Sequence, residues 1–164
     1  MHHRHIDVEI KTGEVKMQEL SIVKNEFPLL VQSRGIDAPI AIKEATGMNE
    51  NAILSAVSEV SDNPKRGLST DEIKKALKKL GVKHRDMSSM AERDVSGDNK
   101  LHKHVTENEF LQTAKEGKTY IVTNRNHVWT IRNKKVIDPV WVVPNKQGTR
   151  RRITSVIEIV EAKH

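Results

Sequence analysis

Asn126-His127-Val128-Trp129-Thr130-Ile131-Arg132-Asn133-Lys134-Lys135-Val136-Ile137-Asp138-Pro139 reads as a β-hairpin. Val128 to Ile131 is rich in β-branched and aromatic residues, Arg132-Asn133-Lys134 has turn chemistry, and Lys135 to Asp138 forms the return strand. A strand, a tight turn and a return strand bring the end of the second strand beside the start of the first. His127 and Asp138 are therefore expected within hydrogen-bonding range of each other.

Outward from this hairpin, Thr119-Tyr120-Ile121-Val122-Thr123 reads as a neighbouring strand, and Val140 to Val143 and Ile153 to Val160 as further strand segments. Upstream the period changes to helical. Ser69-Thr70-Asp71-Glu72 is a capping box, followed by Ile73, Ala76, Leu77 and Leu80 at i, i+3, i+4 and i+7, with Gly81 closing the helix. Asn49 caps a helix carrying Ile53, Ala56, Val57 and Val60, which Asp62-Asn63-Pro64 breaks. Asp37 is expected to cap a helix that accepts Pro39 in its first turn, runs through Ile40, Ala41, Lys43, Glu44 and Ala45, and stops near Gly47. Thr106-Glu107-Asn108-Glu109 starts another helix, with Phe110, Leu111 and Ala114, ending at Gly117. Residues 86–104 are polar and read as a surface loop with short strands at its ends, and residues 6–26 as an edge hairpin around Ile6, Val8, Ile10 and Val15. Helices followed by an antiparallel sheet make an α+β domain. Residues 1–26 form an N-terminal extension or edge hairpin, and 27–164 a single domain.

The 164 residues fit one core of ordinary size. No window approaches a membrane span of roughly 20 apolar residues, and Met1-His2-His3-Arg4-His5 lacks the apolar run of a signal peptide, so the expected compartment is the cytoplasm. The chain has no Cys, which excludes disulfides and Cys-ligated zinc. The net charge of +6, from 28 Lys and Arg against 22 Asp and Glu, is a weak attraction for acidic partners. Two Phe, two Trp and one Tyr are too few for the aromatic platform of a single-strand binder.

The candidate chemistry joins the hairpin to Gln32-Ser33-Arg34-Gly35-Ile36-Asp37-Ala38. Thioester-forming hydrolysis needs a thiolate, a base that creates it, a partner that orients the base, and donors for the oxyanion. His127 suits the base and Asp138 the orienting group, and residue 38, at the N-terminus of the expected helix, is an alanine.

These pieces resemble the papain-like cysteine peptidases, and within them the bacteriocin-leader-processing, double-glycine peptidases. The resemblance rests on Gln32 to Ala38, Gly67-Leu68-Ser69 to Leu80-Gly81, Asn126-His127 and Asp138-Pro139, which occur in consistent order across residues 27–143. It implies a papain-like fold, with N-terminal helices packed on a C-terminal antiparallel sheet. It also implies thiol-dependent hydrolysis of a peptide or isopeptide bond in an extended substrate, with no cofactor and no metal. The family usually has Gly after the Cys, where this chain has Pro39. The transporter usually fused to such peptidases is not present, so a free-standing relative, of the kind borne by phage or mobile elements, is implied. The resemblance makes residue 38 the seat of the nucleophile and Gln32, with the residue-38 N–H, the oxyanion donors, so with Ala38 there the chain is expected to be either an inactive Cys-to-Ala form of a peptidase or a natural pseudopeptidase that binds a peptide or protein. Retention of Gln32, His127 and Asp138 at usable spacings favours the first.

Each of these residues also has a plainer reading: His127 as a strand histidine, Asp138 before Pro139 as a turn former, Gln32 as a loop amide. Trp129 and Trp141 read as sheet-packing residues. His2, His3 and His5, like His102 and His104, have metal-compatible spacings without carboxylates to complete a geometry. Arg150-Arg151-Arg152 and Lys74-Lys75 with Lys78-Lys79 could contact phosphates, but they fall where solvated faces are expected, leaving nucleic acid a minor candidate.

Overall fold

The computed structural model describes residues 37–61, 67–93, 103–140 and 149–161. The expected 6–26 hairpin, Gln32 and its loop, the Asp62-Asn63-Pro64 breaker, His2, His3, His5, His102 and Trp141 lie outside the described residues.

Four helices and five strands are described, in the order α1 (Asp37–Thr46), α2 (Glu50–Val60), α3 (Thr70–Lys79), β1 (Lys83–Asp86), α4 (Glu107–Thr113), β2 (Thr119–Thr123), β3 (Val128–Arg132), β4 (Lys135–Ile137) and β5 (Ser155–Glu161). A short 3₁₀ turn, Ser88–Ala91, follows β1. The strands make one antiparallel sheet in the order β1-β5-β2-β3-β4. This is an α+β arrangement of helices and an antiparallel sheet.

Local chemistry accounts for the helix boundaries. Asn49 Oδ1 accepts from the N–H groups of Asn51 (2.8 Å) and Ala52 (3.3 Å), occupying orphan donors at the start of α2. Ser69 with Glu72, and Thr106 with Glu109, each close a reciprocal capping box. α1 ends where Gly47 takes φ +71°, a left-handed conformation that costs glycine little. α4 stops at Thr113, earlier than the expected Gly117, because Ala114 turns to extended backbone while its N–H still bonds Phe110 O.

The sheet buries both faces, and the alternation of side chains along a strand divides them. On β2, Ile121 joins α1, α2 and α3 in one apolar cluster with Ile40, Ile53, Ile73 and Leu77. Tyr120 and Val122 point to the other cluster, with Phe110 of α4, Trp129, Ile131 and Val156. Thr130, buried on the helical side, donates from Oγ1 to Ala41 O at 2.8 Å, tying α1 to β3. The β3–β4 turn is a two-residue hairpin in which Asn133 and Lys134 both have positive φ, 54° and 62°, matching the twist of the flanking strands.

Three expectations are adjusted. An edge strand, β1, leads into the start of the expected 86–104 loop, because its backbone pairs with β5 although its side chains are mostly exposed. The last strand starts at Ser155 rather than Ile153. Val140 lies in a bend, and residues 141–143 of the expected strand lie outside the described residues.

Candidate active site

The β2–β3 connection delivers His127. Asn126 N–H donates to Asn124 Oδ1 at 2.9 Å, and Asn124 N–H to His127 O at 3.0 Å, so an Asx turn fixes the residue just before β3. The imidazole is buried and both of its nitrogens meet carboxylates. Nε2 lies 2.8 Å from Asp138 Oδ2, and Nδ1 lies 3.2 Å from Asp37 Oδ2. The hairpin therefore brings His127 and Asp138 together. The register that pairs Thr130 with Ile137 accounts for it, since continuing it one step places Asp138 beside Trp129, next to His127. The Trp129 ring stacks on the imidazole, with centroids 5.4 Å apart and planes 14° from parallel.

Asp37 does not cap α1 as expected. It is the first residue of that helix, and its Oδ2 accepts from both His127 and the Val128 N–H, the latter at 3.2 Å. Its Oδ1 accepts from the N–H of Ala38 at 3.0 Å. Ala38 is the second residue of α1 and is completely buried. The residue-38 N–H and the imidazole Nδ1 are thus both engaged by Asp37. Gln32, the other oxyanion candidate, lies outside the described residues.

Burial of the imidazole pushes its pKa down, but the hydrogen bonds and charges of Asp138 and Asp37 outweigh that, and the net shift is upward from the ordinary histidine value. An imidazolium donating from both nitrogens satisfies this geometry.

Two further groups complete the cluster. Arg151 places NH1 2.9 Å from the same Asp138 Oδ2, while its Nε and NH2 donate to Glu107 Oε2 at 3.1 and 2.8 Å. Its guanidinium lies over the Trp129 ring, 3.9 Å from the centroid. Glu107 is fully buried and fully supplied with donors: Trp129 Nε1 reaches Oε2 at 2.6 Å, and the Thr149 N–H reaches Oε1 at 2.8 Å. The backbone enforces the approach, since Glu107 N–H donates to Arg151 O at 2.8 Å and Asn108 N–H to Thr149 O at 3.1 Å. The result is a chain of alternating charge, Asp37, His127, Asp138, Arg151, Glu107.

Sequence reasoning named His127 and Asp138 but assigned Asp37 to a cap and the Arg150-Arg151-Arg152 run to a solvated face. The run divides: Arg151 points inward, and Arg152 donates to His104 O at 2.8 Å, while Arg150 is exposed. Glu107 carried a legible signal, for it shares the i, i+3, i+4, i+7 face of Phe110, Leu111 and Ala114. A carboxylate on an apolar face needs a buried cation. The lysine pairs behave as expected of a surface, with Lys74 ion-paired to Asp86 and Lys79 3.7 Å from Glu59. Trp129 packs in the core beneath the site.

Among the described residues, no group of three or more His, Asp or Glu side chains is arranged to hold a metal ion, and no helix is long and apolar enough to cross a membrane. Comparison with known protein families, with curated proteins and with solved structures gives no match to this chain.

Proposed function

We propose that this chain is a papain-like thiol-hydrolase domain in which Ala38 occupies the nucleophile's position, so that it engages an extended peptide or protein tail without cleaving it. The observation that carries this reading is the orientation of His127. With Nε2 held by Asp138, Nδ1 faces the N-terminus of α1, where residue 38 stands one position after the residue it bonds. A thiolate at that position would be held by the imidazolium and favoured by the helix N-terminus. It would attack the carbonyl carbon; the C–N bond would break as His127 gives its proton to the amine, and water would hydrolyse the thioester. The chemistry requires no cofactor, and a cytoplasmic setting suits a thiol nucleophile.

Ala38→Cys tests the reading through the pH profile of iodoacetamide labelling. The expected outcome is rapid labelling at neutral pH that His127→Ala abolishes. A thiol that reacts only near the ordinary cysteine range, about 8.5, overturns the hydrolase reading. A specific observation favours a second reading, a pseudopeptidase that binds and never cleaves: Asp37 takes both the residue-38 N–H and His127 Nδ1. On that reading the introduced thiol remains unreactive at neutral pH while the peptide-binding surface persists.

A further inference from the structure

Three carboxylates and two cations meet at this site. Asp37 comes from α1, Asp138 follows β4 and Glu107 opens α4, and His127 and Arg151 pair with them. Two of those carboxylates, Asp37 and Asp138, bond the imidazole directly. Two carboxylates on one imidazole favour its charged form. Arg151 opposes them. It shares Asp138 Oδ2 with His127, and it is itself fixed by the fork to Glu107, by the Trp129 ring beneath it and by the backbone bond from Glu107 N–H to its carbonyl.

We propose that Arg151 is a positioning residue of this site: its guanidinium, seated on Glu107 and Trp129, pins the Asp138 carboxylate against His127 and offsets the negative field that surrounds the imidazole. Asp138 alone could rotate away from the ring. With NH1 on the same oxygen, that rotation breaks two charge-assisted bonds at once. The side chain of Arg151 is only 14% exposed and that of Asp138 1%, so the offsetting charge acts with little solvent screening. The role of His127 as a base rests on the hydrolase reading above; the arrangement of Arg151, Asp138 and His127 does not.

The test is a pH titration of the His127 ring nitrogens by ¹⁵N NMR in the chain as it stands, with Ala38 present. Arg151→Gln keeps a donor near Asp138 and removes the charge, so the midpoint of His127 is expected to rise by about one pH unit, tenfold in proton affinity. Glu107→Gln removes a negative charge instead, and the midpoint is expected to fall. Arg151→Lys restores the charge and with it a midpoint close to that of the parent. Opposite signs are the signature of a field, because mere loosening of the site would lower the midpoint in both neutral variants as the carboxylates drift from the ring. Movement of Arg151→Gln and Glu107→Gln in the same direction, or of neither, overturns the proposal. Should either neutral single variant fail to fold, the double variant Arg151→Gln/Glu107→Gln, which leaves no lone buried charge and keeps a donor at Asp138, carries an upward expectation, because the guanidinium bonds the same Asp138 oxygen as His127 while Glu107 lies one link further away. Failure of the Ala38→Cys labelling would remove the hydrolase reading and leave this titration intact, whereas a null titration with successful labelling would remove Arg151 alone.

Discussion

Glu107 and Glu109 stand two residues apart in the first turn of α4, and each is held by an arginine, yet they belong to different physical regimes. Glu109 accepts from Arg93 NH2 at 2.6 Å with a side chain still 37% exposed. Glu107 accepts from Arg151 NH2 at 2.8 Å with a side chain at 0%. Water is available to replace Arg93 if that pair opens. It is not available to replace Arg151, so the buried pair had to be surrounded by donors, from Trp129 and Thr149, before its charge could be tolerated. The comparison teaches that the closeness of an ion pair says little about its importance; what decides is what each charge meets when its partner leaves.

The same substitution at both positions breaks the comparison most directly. Glu107→Gln leaves the guanidinium of Arg151 without its counter-charge in a site closed to water, and about 3–5 kcal/mol of unfolding free energy is expected to be lost. Urea unfolding followed by tryptophan fluorescence measures it, because Trp129 lies in the affected cluster. A loss below about 1 kcal/mol would mean that the two glutamates are equivalent and that the buried chain is solvated in solution.

The pH dependence sharpens the contrast next. The pKa of His127 is raised in the folded protein, so its ion pairs stabilise fully below the unfolded histidine value of about 6.5, and that stabilisation is lost as pH rises through the folded value. Between those two values the unfolding free energy is expected to fall by up to about 1.4 kcal/mol per pH unit. His127→Gln should remove this slope from urea titrations run upward from about pH 6.5, whatever its effect on stability at a single pH. A parent whose stability is flat across that window would show that the imidazole is not charged by its two carboxylates.

How much of this was legible follows from where each signal lies. The helices were readable because their boundaries are local: Asn49, Ser69 and Thr106 each bond N–H groups within three residues. His127 and Asp138 were readable together because one hairpin relates them. Asp37 was misassigned because an aspartate before a helix has a strong local role, and the competing partner, His127, is 90 residues away in the chain. Arg151 was hidden in a run of three arginines that composition assigns to solvent; only the pairing of Thr106 with Arg152 and of Glu107 N–H with Arg151 O turns it inward. Glu107 alone left a trace in the pattern, as a charge on the apolar face of its helix. β1 was underread because its side chains are exposed and its identity comes from backbone bonds to β5.

The smallest expected effect completes the comparison at Glu109. Arg93, and after it the Thr106 N–H, holds this carboxyl at about 2, well below its ordinary value of 4.5. Stability from this group is therefore present above about pH 4.5 and lost as pH falls toward about 2, the opposite end of the scale from His127. Because the side chain is more than one-third exposed, solvent screening cuts the contribution to less than about 1 kcal/mol. Glu109→Gln isolates it: glutamine still accepts from the Thr106 N–H, as the capping box requires, while the charge facing Arg93 disappears. The expected outcome is an unfolding midpoint at neutral pH almost unchanged from the parent and an acid transition displaced only slightly. A loss as large as that of Glu107→Gln would show that Arg93 is as dependent on its counter-charge as Arg151, and the distinction drawn between the two halves of this helix turn would fail.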